Sequence, residues 1–211
     1  MKGFHVSAVC SLALLLSACA STSVNNSAGR ATVYEDVRTS SSVIQGVGIE
    51  SQDIVAVTDR MMRDMLSNQL LAGRSPAPRV IIDSQYFTNE SSSRINKNMI
   101  TDRLRIELQR AAQGRMVFIG REYSGMVEAE RELKRSGVTD AGTIRSTRAT
   151  AGADFRLVGR ITSADAVDSS SGMASRYQQI SFEMVDLEYG TVVWAGLYEF
   201  KKTAQDDIIY R

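Results

Sequence analysis

The distribution of apolar residues divides this 211-residue chain into three parts. A short apolar run at 6–16 follows the basic residue Lys2. The stretch 20–50 is rich in Ser, Thr, Asn and Gly and has no apolar periodicity, which predicts a flexible tether for most of it, with residues 33–37 as an alternative short strand or partner-binding segment. From residue 51 onward, apolar residues recur with the spacings of helices and strands, so this part should form the folded domain.

Four helices are predicted, at 51–73, 96–114, 124–134 and 143–151. In each of the first two, apolar residues recur every three or four positions, and a glycine ends the pattern. In the third helix, Val127 and Leu133 should face inward, and Glu130 and Lys134 should pair on the outer side. The apolar positions of the first two helices are Ile54, Val57, Met61 and Met65, then Ile100, Leu104, Leu108 and Ala111.

The predicted strands lie between and after these helices. Short apolar runs at 79–83 and 116–119, bounded by turn residues, are typical of buried strands. After residue 155 the period changes to two, and turn residues at 169–172 and 188–191 separate three strands that should pair antiparallel. This order predicts an α+β fold, with a sheet of about four to five strands flanked by about four helices.

The segment Leu16-Ser17-Ala18-Cys19 closes the first apolar run. A basic start, a short apolar run and small residues before a cleavage site are typical of a secretory signal. A cysteine directly after them indicates a bacterial lipobox, in which Cys19 is acylated and the chain is cut before it. The run is too short to span a membrane, which takes about 20 apolar residues. Ala20, where an inner-membrane protein would carry Asp, favours the outer membrane and its periplasmic face.

These observations give a domain plan for the whole chain. We expect a signal peptide at 1–18, a lipidated tether at 19–50, a globular domain at 51–203 and a C-terminal tail at 204–211.

The composition excludes several kinds of chemistry. His5 is the only histidine, and Cys10 and Cys19 are the only cysteines, so no His and no free Cys should remain after processing. Ser-His-Asp and Cys-His catalysis and the common zinc sites are therefore not expected. The acid pair Asp186 and Glu188 lies beside a turn and shows no sign of the burial that tunes catalytic carboxyl groups. We predict no cofactor and no enzymatic activity, and infer a binding or scaffolding role.

The charge balance argues against nucleic acid as a partner. The chain has 25 Lys and Arg against 24 Asp and Glu, without the basic excess of a nucleic-acid-binding protein.

Several segments, in order, resemble the outer-membrane lipoprotein LpoB family of penicillin-binding protein activators. The resemblance covers roughly 52–196, and the segments that carry it are 80–83, 93–105, 116–119, 152–157 and 188–196. It implies a domain similar to the N-terminal domain of TolB. It also implies a lipoprotein that binds a class A penicillin-binding protein, a bifunctional peptidoglycan synthase, and stimulates its activity without catalysing a reaction itself.

The resemblance also suggests contact residues. The family's contact surface includes an arginine near the short helix before the Gly-Ala strand, and Arg145 and Arg148 are the nearest arginines here. An alternative interpretation is a structural or secretion-linked lipoprotein of related fold, similar to a curli-export component, which would form rings or large oligomers.

Overall fold

The computed structural model describes residues 34–38, 46–143 and 150–205. The elements discussed below all lie in one unit of the chain, Asp36–Arg211. The helices are α1 (Ser51–Ser67), α2 (Gln69–Ala72), α3 (Asn98–Ala112) and α4 (Ser124–Arg135), with 3-10 turns at Arg121–Tyr123 and Ala141–Thr143. The strands are β1 (Arg79–Ile81), β2 (Phe87–Asn89), β3 (Val117–Phe118), β4 (Phe155–Asp168), β5 (Met173–Asp186) and β6 (Val192–Gln205).

The six strands form one mixed sheet, in which five follow the order β3-β1-β4-β5-β6 and β2 pairs with β4. Strands β4, β5 and β6 are each 14 residues long and form an antiparallel meander. The two predicted turns join them, and Gly172 and Gly190 both have a φ of 69°, which glycine adopts without strain. The α+β class and the antiparallel C-terminal half of the sheet are confirmed.

The first half of the chain adds three short strands parallel to their neighbours. Strand β1 pairs with the start of β4, and β2 pairs with the part of β4 that follows. Strand β2 was not predicted from the sequence: after the apolar run at 79–83 the chain turns at 84–86, and β2 begins at Phe87. Strand β4 is therefore long enough to hold both short strands along one edge.

Helices α1 and α3 cover one face of the sheet. The apolar positions predicted for these helices pack against the alternating inward residues of β4 and β5, except that Ala112 rather than Ala111 is the buried alanine at the end of α3. Side chains on the opposite face, such as Arg160 and Glu183, are exposed. The buried sheet residues in this core are Val80, Phe87, Phe155, Leu157, Ile161, Ile180, Phe182, Met184 and Trp194.

The predicted first helix is divided at Asn68. Its backbone is extended there (φ −78°, ψ 120°), and its side-chain oxygen accepts a hydrogen bond from the Leu70 N–H at 2.8 Å. An Asn side chain can replace a backbone partner in this way, so one residue ends α1 and caps α2. At the start of α1, Glu50 is the N-cap and forms a capping box with Asp53.

The prediction that α4 turns an apolar face inward is wrong. No residue of α4 is buried, and Val127 and Leu133 are 40% and 45% exposed. The short helix predicted at 143–151 falls mostly on 144–149, which lie outside the described residues. Thr143 ends a 3-10 turn, and residues 150–151 are not helical.

The folded domain begins earlier than residue 51. Val47 is fully buried and Ile49 is 8% exposed. The Gln178 amide donates to the Val47 carbonyl at 2.8 Å, and the Lys202 ammonium donates to the Gly48 carbonyl at 3.0 Å. Residues 46–50, expected in the tether, are thus part of the domain. At the other end β6 continues to Gln205, two residues into the expected tail.

Candidate partner-binding surfaces

The three residues predicted to act in anchoring and binding lie outside the part of the chain that the structure describes. Cys19, Arg145 and Arg148 therefore remain predictions. Among the described residues, no helix is both long and apolar enough to cross a membrane. Within the same residues, no group of three or more His, Cys, Asp or Glu side chains could hold a metal ion.

The acid pair and the ion pair predicted from the sequence both have structural roles rather than catalytic ones. The Asp186 carboxylate accepts the backbone N–H groups of Glu188 at 2.8 Å and Tyr189 at 3.0 Å, so it stabilises the turn before β6. Glu188 is exposed. On α4, the predicted ion pair between Glu130 and Lys134 is present at 3.5 Å and is open to solvent. Neither place offers the buried carboxyl group that acid-base catalysis uses.

A first candidate surface surrounds α4, and we call it the α4 surface. It consists of the exposed apolar side chains Tyr123, Met126, Val127, Leu133 and Val138, which are 40% to 73% exposed. Clustered exposed apolar side chains on one short segment often mark a protein interaction site. The sequence showed the helical spacing of this face, but spacing alone does not tell whether the fold or a partner covers it.

The α4 surface is joined to the domain by a charged contact. The Arg105 guanidinium, on α3, lies 3.6 Å from the Glu122 carboxylate and 3.3 Å from the Asp102 carboxylate. The Arg105 side chain is only 18% exposed, so this contact is partly shielded from water. It fixes the turn before α4 while leaving the helix itself uncovered.

A second arginine, Arg156, is already held in an ion pair. Its guanidinium lies 2.7 Å from the Asp83 carboxylate and 4.5 Å from the centre of the Tyr86 ring. Both charged side chains are less than 15% exposed. A buried pair with an aromatic neighbour is a rigid clamp between β4 and the loop after β1. We therefore assign Arg156 to the framework of the domain.

The Ser-rich loop after β2 is held on the β4–β5 hairpin by a polar network. The Arg176 guanidinium donates to the Asp165 carboxylate at 2.6 Å and to the Ser93 hydroxyl at 3.2 Å. The Ser92 hydroxyl donates to the other Asp165 oxygen at 2.6 Å. The hydrogen bond from Arg176 is the main cause that lowers the pKa of Asp165, and the Ser92 bond adds to it. The network positions the loop and does not leave a free charged group.

A second candidate surface is a groove between α1 and β6, with a volume of about 450 Å³. Arg60, Arg63 and Asp64 line its helix side, and residues 195–197 line its strand side. The Trp194 indole N–H donates to the Asp64 carboxylate at 2.9 Å, so this carboxylate on the helix side is already engaged.

Comparison with known proteins identifies the family. The family described as peptidoglycan-synthase activator LpoB matches residues 53–200, which is most of the chain. No curated protein matches.

Solved structures of similar fold include two LpoB C-terminal domains. That of Salmonella enterica is 15% identical with a TM-score of 0.42, and that of Escherichia coli is 14% identical with a TM-score of 0.40. Each match covers 70% of this chain and 98% of the other. Lipoprotein GNA1162 from Neisseria meningitidis is 18% identical with a TM-score of 0.31, covering 63% and 88%. From the family match, which spans the folded domain almost from end to end, this chain belongs to the LpoB family of peptidoglycan-synthase activators.

Proposed function

We propose that this protein is an outer-membrane lipoprotein that binds a class A penicillin-binding protein in the periplasm and stimulates its synthesis of peptidoglycan. The family match over 53–200 is the observation that carries the proposal. The lipobox at Cys19 supports the anchor. The lack of any His or Cys after Cys19 agrees with a regulator rather than an enzyme.

For the docking site we propose the α4 surface together with Arg145 and Arg148. Protein interfaces are enriched in Tyr, Met and Arg, and a few such residues contribute most of the binding energy. Tyr123 and Met126 are exposed and have no role in the core. The two arginines follow α4 closely in sequence, and the proposed site therefore combines apolar and charged contacts.

The tether sets how far from the outer membrane the domain can act. Because the Arg38 guanidinium lies 2.9 Å from the Asp59 carboxylate of α1 and 3.2 Å from the Glu107 carboxylate of α3, the tether is at most 19–37. A flexible chain of that length has a root-mean-square span of roughly 25 Å, and about 65 Å when fully stretched. Binding to a synthase on the inner membrane therefore requires the synthase to extend towards the lipoprotein.

The binding test uses the chain from residue 20 onward and the class A synthases of the same organism. We expect co-purification with one synthase and a higher rate of glycan polymerisation. Arg145→Glu and Arg148→Glu should each weaken binding, whereas the exposed Arg110 on α3 provides a matched control as Arg110→Glu. If no synthase binds and no polymerisation rate changes, the proposal is wrong. Rings or large oligomers in light scattering would instead favour the assembly-lipoprotein interpretation.

The anchor is tested separately by two cysteine variants. Cys19→Ala should abolish labelling by a palmitate analogue and release the protein from the outer-membrane fraction. Cys10→Ala, in the expected signal peptide, should leave both unchanged. Labelling that persists in Cys19→Ala would exclude Cys19 as the lipidation site.

A further inference from the structure

We propose that the outer edge of β6 binds an extended acidic segment of a partner protein by strand addition, beside Arg60 and Arg63 of α1. This site is separate from the α4 surface and does not depend on the synthase proposal. Four observations support it: the open edge, the uncharged stretch along it, the groove behind it and the charges that face it.

Strand β6 is the last strand of the sheet, and no other strand in the described part of the chain pairs with its outer edge. An edge strand leaves alternate backbone N–H and C=O groups without partners, and these can bond to another extended chain. Peptide-binding domains that add a strand to a sheet use such an edge for affinity and nearby side chains for specificity.

Natural edges are usually protected by charges, proline, bulges or short length. Residues 192–198 of β6 contain no charged residue and no proline. The one irregularity in the pairing of β5 with β6 lies at the start of this stretch, between Met184 and Val185. The charged residues Glu199, Lys201 and Lys202 follow only after this stretch, so the part of the edge between the irregularity and Glu199 is the unprotected one.

Gly196 shapes the groove behind this edge. A Cβ atom at this position would lie 2.5 Å from the Met61 sulfur and 2.5 Å from the Trp194 ring, closer than packed atoms can approach. Glycine therefore allows the edge backbone to lie directly against α1. A chain added to β6 would run past the helix and place every second side chain towards the groove.

The groove presents positive charge that has no partner. Arg60 and Arg63 are exposed, and neither guanidinium forms an ion pair with any described residue. The carboxylates nearby are already engaged, because Asp64 accepts the Trp194 N–H and Glu199 accepts the Tyr177 hydroxyl at 2.9 Å. A carboxylate on the added chain could bond to an arginine in two-point geometry, which favours an acidic segment.

The same charges argue against a second copy of this chain as the occupant. In a two-fold antiparallel pairing of β6 with β6, Arg60 and Arg63 of both molecules would meet at the new junction. Like charges placed opposite one another destabilise a strand pair. A foreign segment with carboxylates has no such penalty.

The test uses the ¹⁵N-labelled chain from residue 20 onward and three synthetic nine-residue peptides. The first alternates Glu with Val, the second replaces each Glu by Lys, and the third is the Glu peptide with every backbone nitrogen methylated, so that neither of its edges can donate a hydrogen bond. We expect the Glu peptide to shift the NMR signals of residues 192–198 and the Arg60 and Arg63 side chains. The Lys peptide should bind at least about tenfold more weakly, and the methylated peptide should not bind.

Protein variants complete the test. Arg60→Glu with Arg63→Glu should weaken binding of the Glu peptide about tenfold or more. Arg110→Glu, on the other helix, should leave it unchanged. Equal binding of Glu and Lys peptides, shifts away from β6, or unaltered binding by the methylated peptide would overturn the proposal. A dimer in light scattering that the Arg60→Glu, Arg63→Glu variant strengthens would assign the edge to a second copy instead.

Discussion

The ion pair between Asp53 and Lys202 provides a direct test of how the domain is closed. The Lys202 ammonium lies 2.5 Å from the Asp53 carboxylate, and the two side chains are 15% and 12% exposed. The same carboxylate oxygen accepts the Glu50 N–H at 2.8 Å, which completes the capping box of α1. The pair thus joins the start of α1, the segment before it and the end of β6.

Replacing Lys202 by Met should leave the Asp53 carboxylate shielded from water without its cation. Removing one partner of a fully buried pair costs about 3–5 kcal/mol, and the residual exposure here reduces the expected loss to about 2–3 kcal/mol. For a domain of this size, that corresponds to a decrease in Tm of roughly 5–10 °C. Lys201→Met is the matched control, since Lys201 is exposed and should change the free energy of unfolding by less than about 0.5 kcal/mol.

The assay is urea unfolding followed by the fluorescence of Trp194, the only tryptophan, which is 7% exposed in the folded domain. A double-mutant cycle with Asp53→Asn should give a coupling energy above about 1 kcal/mol, because the two side chains touch. If Lys202→Met is as stable as Lys201→Met, or if the cycle shows no coupling, the pair does not close the domain and our reasoning is wrong.

Three further predictions concern the boundary, the core and the acid range. A fragment that begins at residue 51 should be less stable by about 3–5 kcal/mol than one that begins at 46, because the buried side chains in 46–50 are lost; equal urea midpoints would contradict this. Gly159→Ala should lower the free energy of unfolding by about 1–3 kcal/mol, because the added Cβ would lie 2.5 Å from the Phe87 ring. Adding Phe87→Leu to this variant should recover part of the lost stability, measured by thermal melts. Arg176→Gln should raise the pKa of Asp165 towards its ordinary value in an NMR carboxyl titration. Because its folded-state pKa is lowered, the ionised Asp165 stabilises the domain at pH values above its unfolded pKa of about 3.8, and this contribution is lost as the pH falls through the folded-state pKa. The Arg176→Gln variant should therefore lose less stability in acid than the original protein. An unchanged Asp165 titration in the variant would refute the assignment.

Local patterns were enough to predict much of this protein. The apolar faces of α1 and α3 and the two turns of the C-terminal meander follow from periods of 3.6 and two residues, which depend only on neighbours in sequence. The lipobox at Cys19 is likewise a short linear motif, so its prediction does not depend on the fold. The order and spacing of short motifs also indicated the family that the comparison confirmed.

Features that depend on distant residues were decided by the tertiary structure. Residues 46–50 look like tether in the sequence, yet Val47 is fully buried in the domain. Its carbonyl accepts a hydrogen bond from Gln178, 131 positions later. Helix α4 has the spacing of a core helix, but α1 and α3 already cover the sheet, and its apolar side chains stay in solvent. The open edge of β6 likewise depends on the strand order. Periodicity shows which side chains share a face, whereas only the packing of the whole chain determines what covers that face.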